Sequence, residues 1–162
     1  MPVRDAVVED LDEICAMIGE LAAFEQAPDE VTFDPVTLAE HLFGPSPAAH
    51  VLIAEPFVES SDLGAPVAGM ALWYRTFSTW VGEPGIWLED LFVRPSFRRR
   101  GLATELMLAL GERCGGGPRR LEWAVLDWNS EAIAFYQRLG AVPVRGWTRY
   151  RWVQTGGDGT PP

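Results

Sequence analysis

Apolar residues along this chain recur with two periods, and the switches between them outline its elements. Leu11, Ile14, Ile18 and Leu21 follow one another at intervals of three and four, with Asp10, Asp12, Glu13 and Glu20 between them, which predicts an amphipathic helix over 9–25. A short strand, Val3 to Val7, precedes it. The run Glu25 to Glu30, with Pro28, breaks this helix, and Asp34-Pro35 starts a second whose buried side is Leu38 and Leu42. Gly44-Pro45-Ser46-Pro47 ends it. Three apolar runs, His50 to Ala54, Pro66 to Tyr74 and Ile86 to Val93, predict strands. A loop with Pro56, Ser60, Ser61, Asp62 and Gly64 separates the first two, and a turn from Trp80 to Pro84 separates the others. The period becomes helical again from Gly101 to Cys114, with Leu102, Leu106 and Leu110 on one side, and Gly115-Gly116-Gly117-Pro118 stops it. A strand from Leu121 to Leu126, a helix from Asn129 or Ser130 to Leu139-Gly140, and two short strands near Val142 to Val144 and Thr148 to Val153 follow.

The order β-α-α-β-β-β-α-β-α-β-β mixes hairpins with helical crossovers, so the class is α+β, or mixed α/β, around one sheet, and not a doubly wound nucleotide fold. A length of 162 residues fits one domain, 1–154, with a Gly- and Pro-rich tail, 155–162, for which disorder is expected. With 48% hydrophobic residues the chain is too apolar for a disordered one, yet no stretch reaches the roughly 18 apolar residues of a membrane span. Met1-Pro2-Val3-Arg4-Asp5 shows no basic region followed by an apolar run, so no signal peptide is expected. Cys15 and Cys114 stand in no metal-ligand spacing; two thiols in a reducing cytoplasm, and no metal, are the expectation.

Charge divides the chain. Residues 1–62 hold 14 acidic side chains and one basic, a balance of −13, while 63–162 hold 9 acidic and 12 basic, a balance of +3. The net −10 disfavours nucleic acid and anionic lipid as partners. An acidic half suits a cationic partner and an arginine-rich half an anionic one such as a phosphorylated cofactor; ordinary solvated surface would give the same sums.

One segment carries chemistry. Val93-Arg94-Pro95-Ser96-Phe97-Arg98-Arg99-Arg100-Gly101-Leu102-Ala103-Thr104 joins a strand to a helix. Gly101 and Ala103 let a ligand approach the backbone, and the free N–H groups of a helix start, its dipole and the nearby guanidiniums favour a pyrophosphate. The segment lacks the endings of a Walker loop and of the dinucleotide fingerprint. A solvated arginine loop fits the same residues.

Here the chain resembles a family. Arg98-x-x-Gly101-x-Ala103 matches the acetyl-CoA signature, Gln/Arg-x-x-Gly-x-Gly/Ala, of the GNAT N-acetyltransferases. Three further segments are similar to the diamine (spermidine/spermine-type) N-acetyltransferases: Glu20 to Glu25, Trp87 to Val93, and Trp128 to Tyr136. The resemblance implies a GNAT-like fold, a mostly antiparallel twisted sheet of six to seven strands with about four helices. It implies acetyl-CoA as cosubstrate, bound through the backbone of Leu91, Phe92 and Val93 and through the loop Arg98, Arg99, Arg100, Gly101, Leu102, Ala103 and Thr104. Asn129 would contact the pantetheine arm, or cap the helix after it, or both. Tyr136 would protonate the departing thiolate and also touch the cofactor, and Glu89 would help deprotonate the amine. Glu89 and Asp90 are adjacent on a strand and so point to opposite faces, unless a bulge intervenes; Glu89 is taken as the one facing substrate.

Phe24, Glu25, Glu89, Asp90 and Trp147 would line the amine cleft. In the family's polyamine acetylators acidic residues precede that tryptophan, whereas Val144-Arg145-Gly146 stands here. An arginine repels a long polycation and points to a shorter or zwitterionic amine, such as a lysine-like amino acid or thialysine. His41 and His50 match no catalytic position. The resemblance also implies a homodimer. Other acceptors (an aminoglycoside, a protein lysine or N-terminus) keep the same fold. A non-catalytic acyl-CoA sensor is the remaining alternative, and it has no chemical need for Tyr136 and Glu89.

Overall fold

Helix periodicity at one end of the chain and alternating apolar strands in its middle produce a sheet with helices on both faces. The computed structural model describes residues 3–56, 67–114 and 120–153. It comprises two compact units, 1–124 and 125–162.

In the first unit the strands are β1 (Val3–Asp5), β2 (His50–Ala54), β3 (Gly69–Ser78), β4 (Glu83–Val93) and β5 (Leu121–Trp123), in the spatial order β1-β2-β3-β4-β5. The pairs are antiparallel except the last, where β5 lies parallel to β4 after the crossover through α3 (Leu102–Arg113). The helices α1 (Leu11–Phe24) and α2 (Pro35–Phe43) cover one face. There Ile14, Met17 and Leu42 pack with Val51, Ile53, Val67, Met70, Leu72 and Phe92. Strand alternation sends Leu52 and Ala71 to the opposite face, where α3 buries Leu102, Leu106 and Leu110.

Local chemistry sets the helix ends. Asp34 Oδ2 accepts the Thr37 N–H (2.8 Å) ahead of Pro35, so α2 starts where the proline and its cap predict. α1 begins at Leu11, two residues later than its periodicity implies, because Val8–Asp10 forms a 3-10 turn. Asp10 closes that turn: its carboxylate accepts the Val7 N–H (2.8 Å) and the Arg4 fork (2.7 and 2.9 Å). α1 ends at Phe24, and two residues on Gln26, with a φ of 62°, lets the Ala27 N–H reach the Ala22 carbonyl (2.9 Å).

The hairpin is longer than its apolar runs. β3 continues to Ser78, four residues past Tyr74, and β4 begins at Glu83, three before Ile86, so the turn is residues 79–82. Exposed positions such as Arg75 and Phe77 join the ladder because antiparallel pairing proceeds without burial on both faces. Gly69 opposes Val93, and a Cβ on it would stand 2.5 Å from the Phe92 carbonyl oxygen; only glycine allows this approach. β5 stops at Trp123, short of Leu126. Pro66, the Gly115–Pro118 stop and the tail 155–162 lie outside the described residues.

The second unit is built on α4 (Ser130–Arg138), capped by Asn129, whose Oδ1 accepts the Ala132 N–H (3.1 Å). The two strands expected over Val142 to Val144 and Thr148 to Val153 do not form among residues 141–153. Alternating apolar residues make a segment fit for a pleated surface, but a strand is defined by the ladder of a partner, and here that ladder is absent. The described sheet therefore has five strands rather than six or seven, and the four helices stand as expected. No helix among the described residues is long and apolar enough to cross a membrane.

Candidate active site

β4 extends past the end of its ladder with β5. It pairs with β5 only at Ile86, Trp87 and Leu88 and then continues to Val93, so residues 89–93 run on without a described strand on that side. The Phe92 side chain is 4% exposed and packs with Ile14 and Met17, so Phe92 can offer a ligand only its backbone.

Beyond Val93 the chain makes a 3-10 turn, Pro95–Phe97, and enters the arginine loop. Two residues there have positive φ: Arg99 (60°) and Gly101 (85°). Gly101 caps α3 without any side-chain cap bond, and the first helical bond is Glu105 N–H to the Gly101 carbonyl (3.0 Å). The N–H groups of Leu102, Ala103 and Thr104 therefore have no acceptor within the helix, and the dipole adds positive potential. A Cβ on Gly101 would meet nothing within 4 Å, so glycine is required here by φ, and space is open in front of the helix. The Leu102 side chain is 2% exposed and belongs to the core; Arg99 and Arg100 are exposed. Arg98 is held twice: Nε donates to the Val93 carbonyl (2.9 Å), and the guanidinium carbon lies 5.4 Å from the centre of the Phe24 ring.

Glu89 and Asp90 do not alternate simply. Leu72 pairs with Asp90 and Trp73 with Leu88, so Glu89 is the extra residue of a β-bulge. Cross-strand partners share a face, so Asp90 lies with Leu72 on the α1 side and Leu88 with Trp73 on the other. Trp87, opposite Tyr74, is on the α1 side too, and its Nε1 donates to Glu89 Oε2 (2.8 Å). The bulge thus brings the Glu89 carboxylate round toward the side of Asp90, and the expected opposition of the two acids is corrected. Asp90 is partly buried, and its carboxyl is pushed up to about 6, first by burial and then by the charges of Glu89 and Glu25. Glu25, one residue past α1, is also raised, by the atoms around it. Charges from two distant segments, those of Glu25 and Glu89, thus reach Asp90.

In the second unit Tyr136 is partly buried on α4, with the Phe135 ring 5.3 Å away and tilted by 56°. Asn129 caps that helix, and Trp147 is 74% exposed just after Gly146, whose φ is 86°. No group of three or more His, Cys, Asp or Glu side chains among the described residues is placed to hold a metal ion.

A family model described as the acetyltransferase (GNAT) family matches residues 16–141. The chain belongs to the GNAT acetyltransferase family. Among its relatives, the thialysine N-epsilon-acetyltransferase of Caenorhabditis elegans is 40% identical over 144 residues, 86% of this chain and 84% of that one. The spermidine/spermine N(1)-acetyltransferase-like protein 1 of Homo sapiens is 28% identical over 158 residues, 93% of this chain and 22% of the relative. The crystal structure of an aminoglycoside acetyltransferase from an uncultured soil metagenomic sample shares the fold, with a TM-score of 0.73, 15% identity, and coverage of 94% and 95%. This protein is an N-acetyltransferase with the fold of that family.

The acetyltransferase also holds a residue that the reading of its sequence passed over. Arg94, the first residue after β4, is 12% exposed and binds Glu20 through Nε (3.0 Å) and Nη2 (2.9 Å), Glu13 through Nη1 (2.6 Å), and the Val67 carbonyl (2.8 Å). It pins α1 to the strand end from which the signature loop departs. Glutamates seven apart on α1 were the available signal, since that spacing places both on one face.

Proposed function

We propose that this acetyltransferase moves the acetyl group of acetyl-CoA directly to a small cationic primary amine, a lysine-like amine such as thialysine or a short diamine. The observation that carries the reading is that the end of β4, where the charges of Glu25 and Glu89 act on Asp90, leads into the start of α3, which has no side-chain cap. A segment suited to an anion thus follows directly on a strand that carries acidic residues suited to a cation, as transfer from an acyl thioester to an ammonium requires.

The loop fits a pyrophosphate: open N–H donors, a glycine with clear space before it and three consecutive arginines, Arg98 to Arg100, all favour that group. When bound, acetyl-CoA supplies the thioester carbonyl and a thiol leaving group. Leu102, Ala103 and Thr104 would hold the phosphates by backbone N–H, and the backbone of Leu91 to Val93 would hold the acyl arm as an added strand does. Glu25 and Asp90 attract the ammonium. Glu89, with Asp90 beside it, takes the proton that must leave before the nitrogen can attack, since an alkylammonium titrates near 10. Asp90, held near 6, is a better proton acceptor than an ordinary carboxylate and is still mostly ionised at neutral pH. Tyr136 delivers a proton to the leaving sulfur; a phenol of about 10 lies within two units of a thiol of about 8.5.

The relatives' names support an amine acceptor, and Arg145 supports a shorter or zwitterionic one. A second copy of the chain completes the reading: Val142, Val144, Tyr150, Trp152 and Val153 are each at least 68% exposed, an apolar row suited to another protomer. Two cysteines that form no disulfide among the described residues suit a cytoplasmic setting, and the acidic net charge speaks against nucleic acid and membrane as partners. Thiol release from acetyl-CoA with thialysine, lysine, ornithine, spermidine and an aminoglycoside is the test. Turnover is expected with the lysine-like amines first, and turnover with the aminoglycoside alone would replace the acceptor.

A further inference from the structure

α1 turns one face to the arginine loop. Glu13, Glu20 and Phe24 follow at intervals of seven and four and so line up along the helix. Two arginines four residues apart dock on that line. Arg94 engages Glu13 and Glu20 with Nε and both Nη nitrogens, so it anchors the strand end and has no fork left for a ligand. Arg98 is held differently. Its bond to the Val93 carbonyl uses one of the five N–H groups of the guanidinium, and the Phe24 ring lies against the group 5.4 Å from its centre. A carbonyl at Nε fixes one edge, and an aromatic ring fixes the plane. The remaining donors thus belong to a side chain restrained at two points, three residues before the Gly101 cap of α3.

We infer that Phe24 is a positioning residue of the acyl-CoA loop, presenting the Arg98 guanidinium to the pyrophosphate, and is not only a wall of the amine cleft. The inference rests on the acyl-CoA reading above. Without the ring, a guanidinium tethered at Nε alone can turn about its long stem, and ordering it when the anion arrives lowers affinity.

The test is calorimetric titration of CoA, with no amine present, into wild type, Phe24→Leu and Phe24→Tyr. Leucine keeps apolar bulk and removes the ring; tyrosine keeps the ring. Phe24 is 40% exposed, so all three fold. An exposed cation–π contact corresponds to about a 2- to 5-fold loss of CoA affinity in Phe24→Leu, with Phe24→Tyr binding as wild type does. Kinetics with S-acetylpantetheine, which has no pyrophosphate, complete the test: a change in the amine cleft weighs on both donors alike, so Phe24→Leu should lower kcat/KM further for acetyl-CoA than for S-acetylpantetheine. The proposal is overturned if Phe24→Leu binds CoA as tightly as wild type, or if both donors suffer equally. Wild type that fails to bind CoA at all overturns instead the acyl-CoA reading beneath it.

Discussion

Replacing Arg94 with methionine separates the anchoring of α1 from the chemistry of the loop. The substitution removes ion pairs to Glu13 and Glu20 and the bond to the Val67 carbonyl, while keeping an unbranched side chain of similar reach. Breaking a fully buried pair costs about 3–5 kcal/mol, and breaking an exposed one about 0–1. Arg94 is 12% exposed, but its partners Glu13 and Glu20 are 28% and 40% exposed and can be rehydrated once the cation is gone. The expected loss therefore lies between the limits, about 2–3 kcal/mol at pH 7. Urea unfolding followed by tryptophan fluorescence measures it. Arg94→Lys keeps the charge and loses the fork, so it should fall between wild type and Arg94→Met. CoA affinity should drop in the methionine variant as well, since the loop begins at the residue that has lost its anchor. An Arg94→Met protein within about 0.5 kcal/mol of wild type, the scatter of ordinary surface changes, would refute the claim that this arginine ties α1 to β4.

Other outcomes follow from the same contacts. Asp90 titrates near 6 in the folded protein against an ordinary 3.8, so the folded state holds a proton that the unfolded chain releases, and stability falls as pH rises from about 4 to 6. Asp90→Asn should remove that penalty: thermal melts should show it more stable than wild type at pH 7–8, by up to about 2–3 kcal/mol, equal to it near pH 4, and much less active. Asp10 is shifted the other way, first by the Arg4 hydrogen bond, so its stabilisation is present above the ordinary carboxylate range and lost as pH falls below it. Asp10→Ala should cost about 2 kcal/mol at neutral pH, and urea midpoints should converge with wild type in strong acid. Tyr136→Phe should lower kcat by on the order of 10²–10⁴-fold with little change in amine KM, and the loss should shrink for donors with a more acidic thiol; stopped-flow thiol detection reads it, and full activity would return Tyr136 to a packing role.

The features visible in the sequence are those fixed by near neighbours. Asp34-Pro35, Gly101 and Asn129 mark helix starts through bonds spanning three or four residues, and the structure forms each of them. The end of β4 was legible for the same reason, through Arg94-Pro95. What could not be read depends on a partner. The bulge at Glu89 exists only in the register of β3 against β4, so no pattern within Trp87 to Val93 reveals that Asp90 changes face relative to Leu88. Arg94 meets Glu20 and Glu13 across 74 and 81 residues, and Arg98 meets Phe24 from a different element. The segment 141–153 shows the converse. Its alternation is that of a strand, but alternation states what a residue could pair with, and pairing needs a second edge.

The most direct test of direct transfer to a cationic amine is a rapid-quench reaction of enzyme, acetyl-CoA and thialysine, reading the masses of amine and intact protein at each time. Thialysine should become one acetyl group heavier in step with the appearance of free CoA thiol, while the mass of the protein never changes. Acetylated protein that forms before the product would contradict direct transfer, and a mixture in which no acetylated amine ever forms would contradict the proposed acceptor.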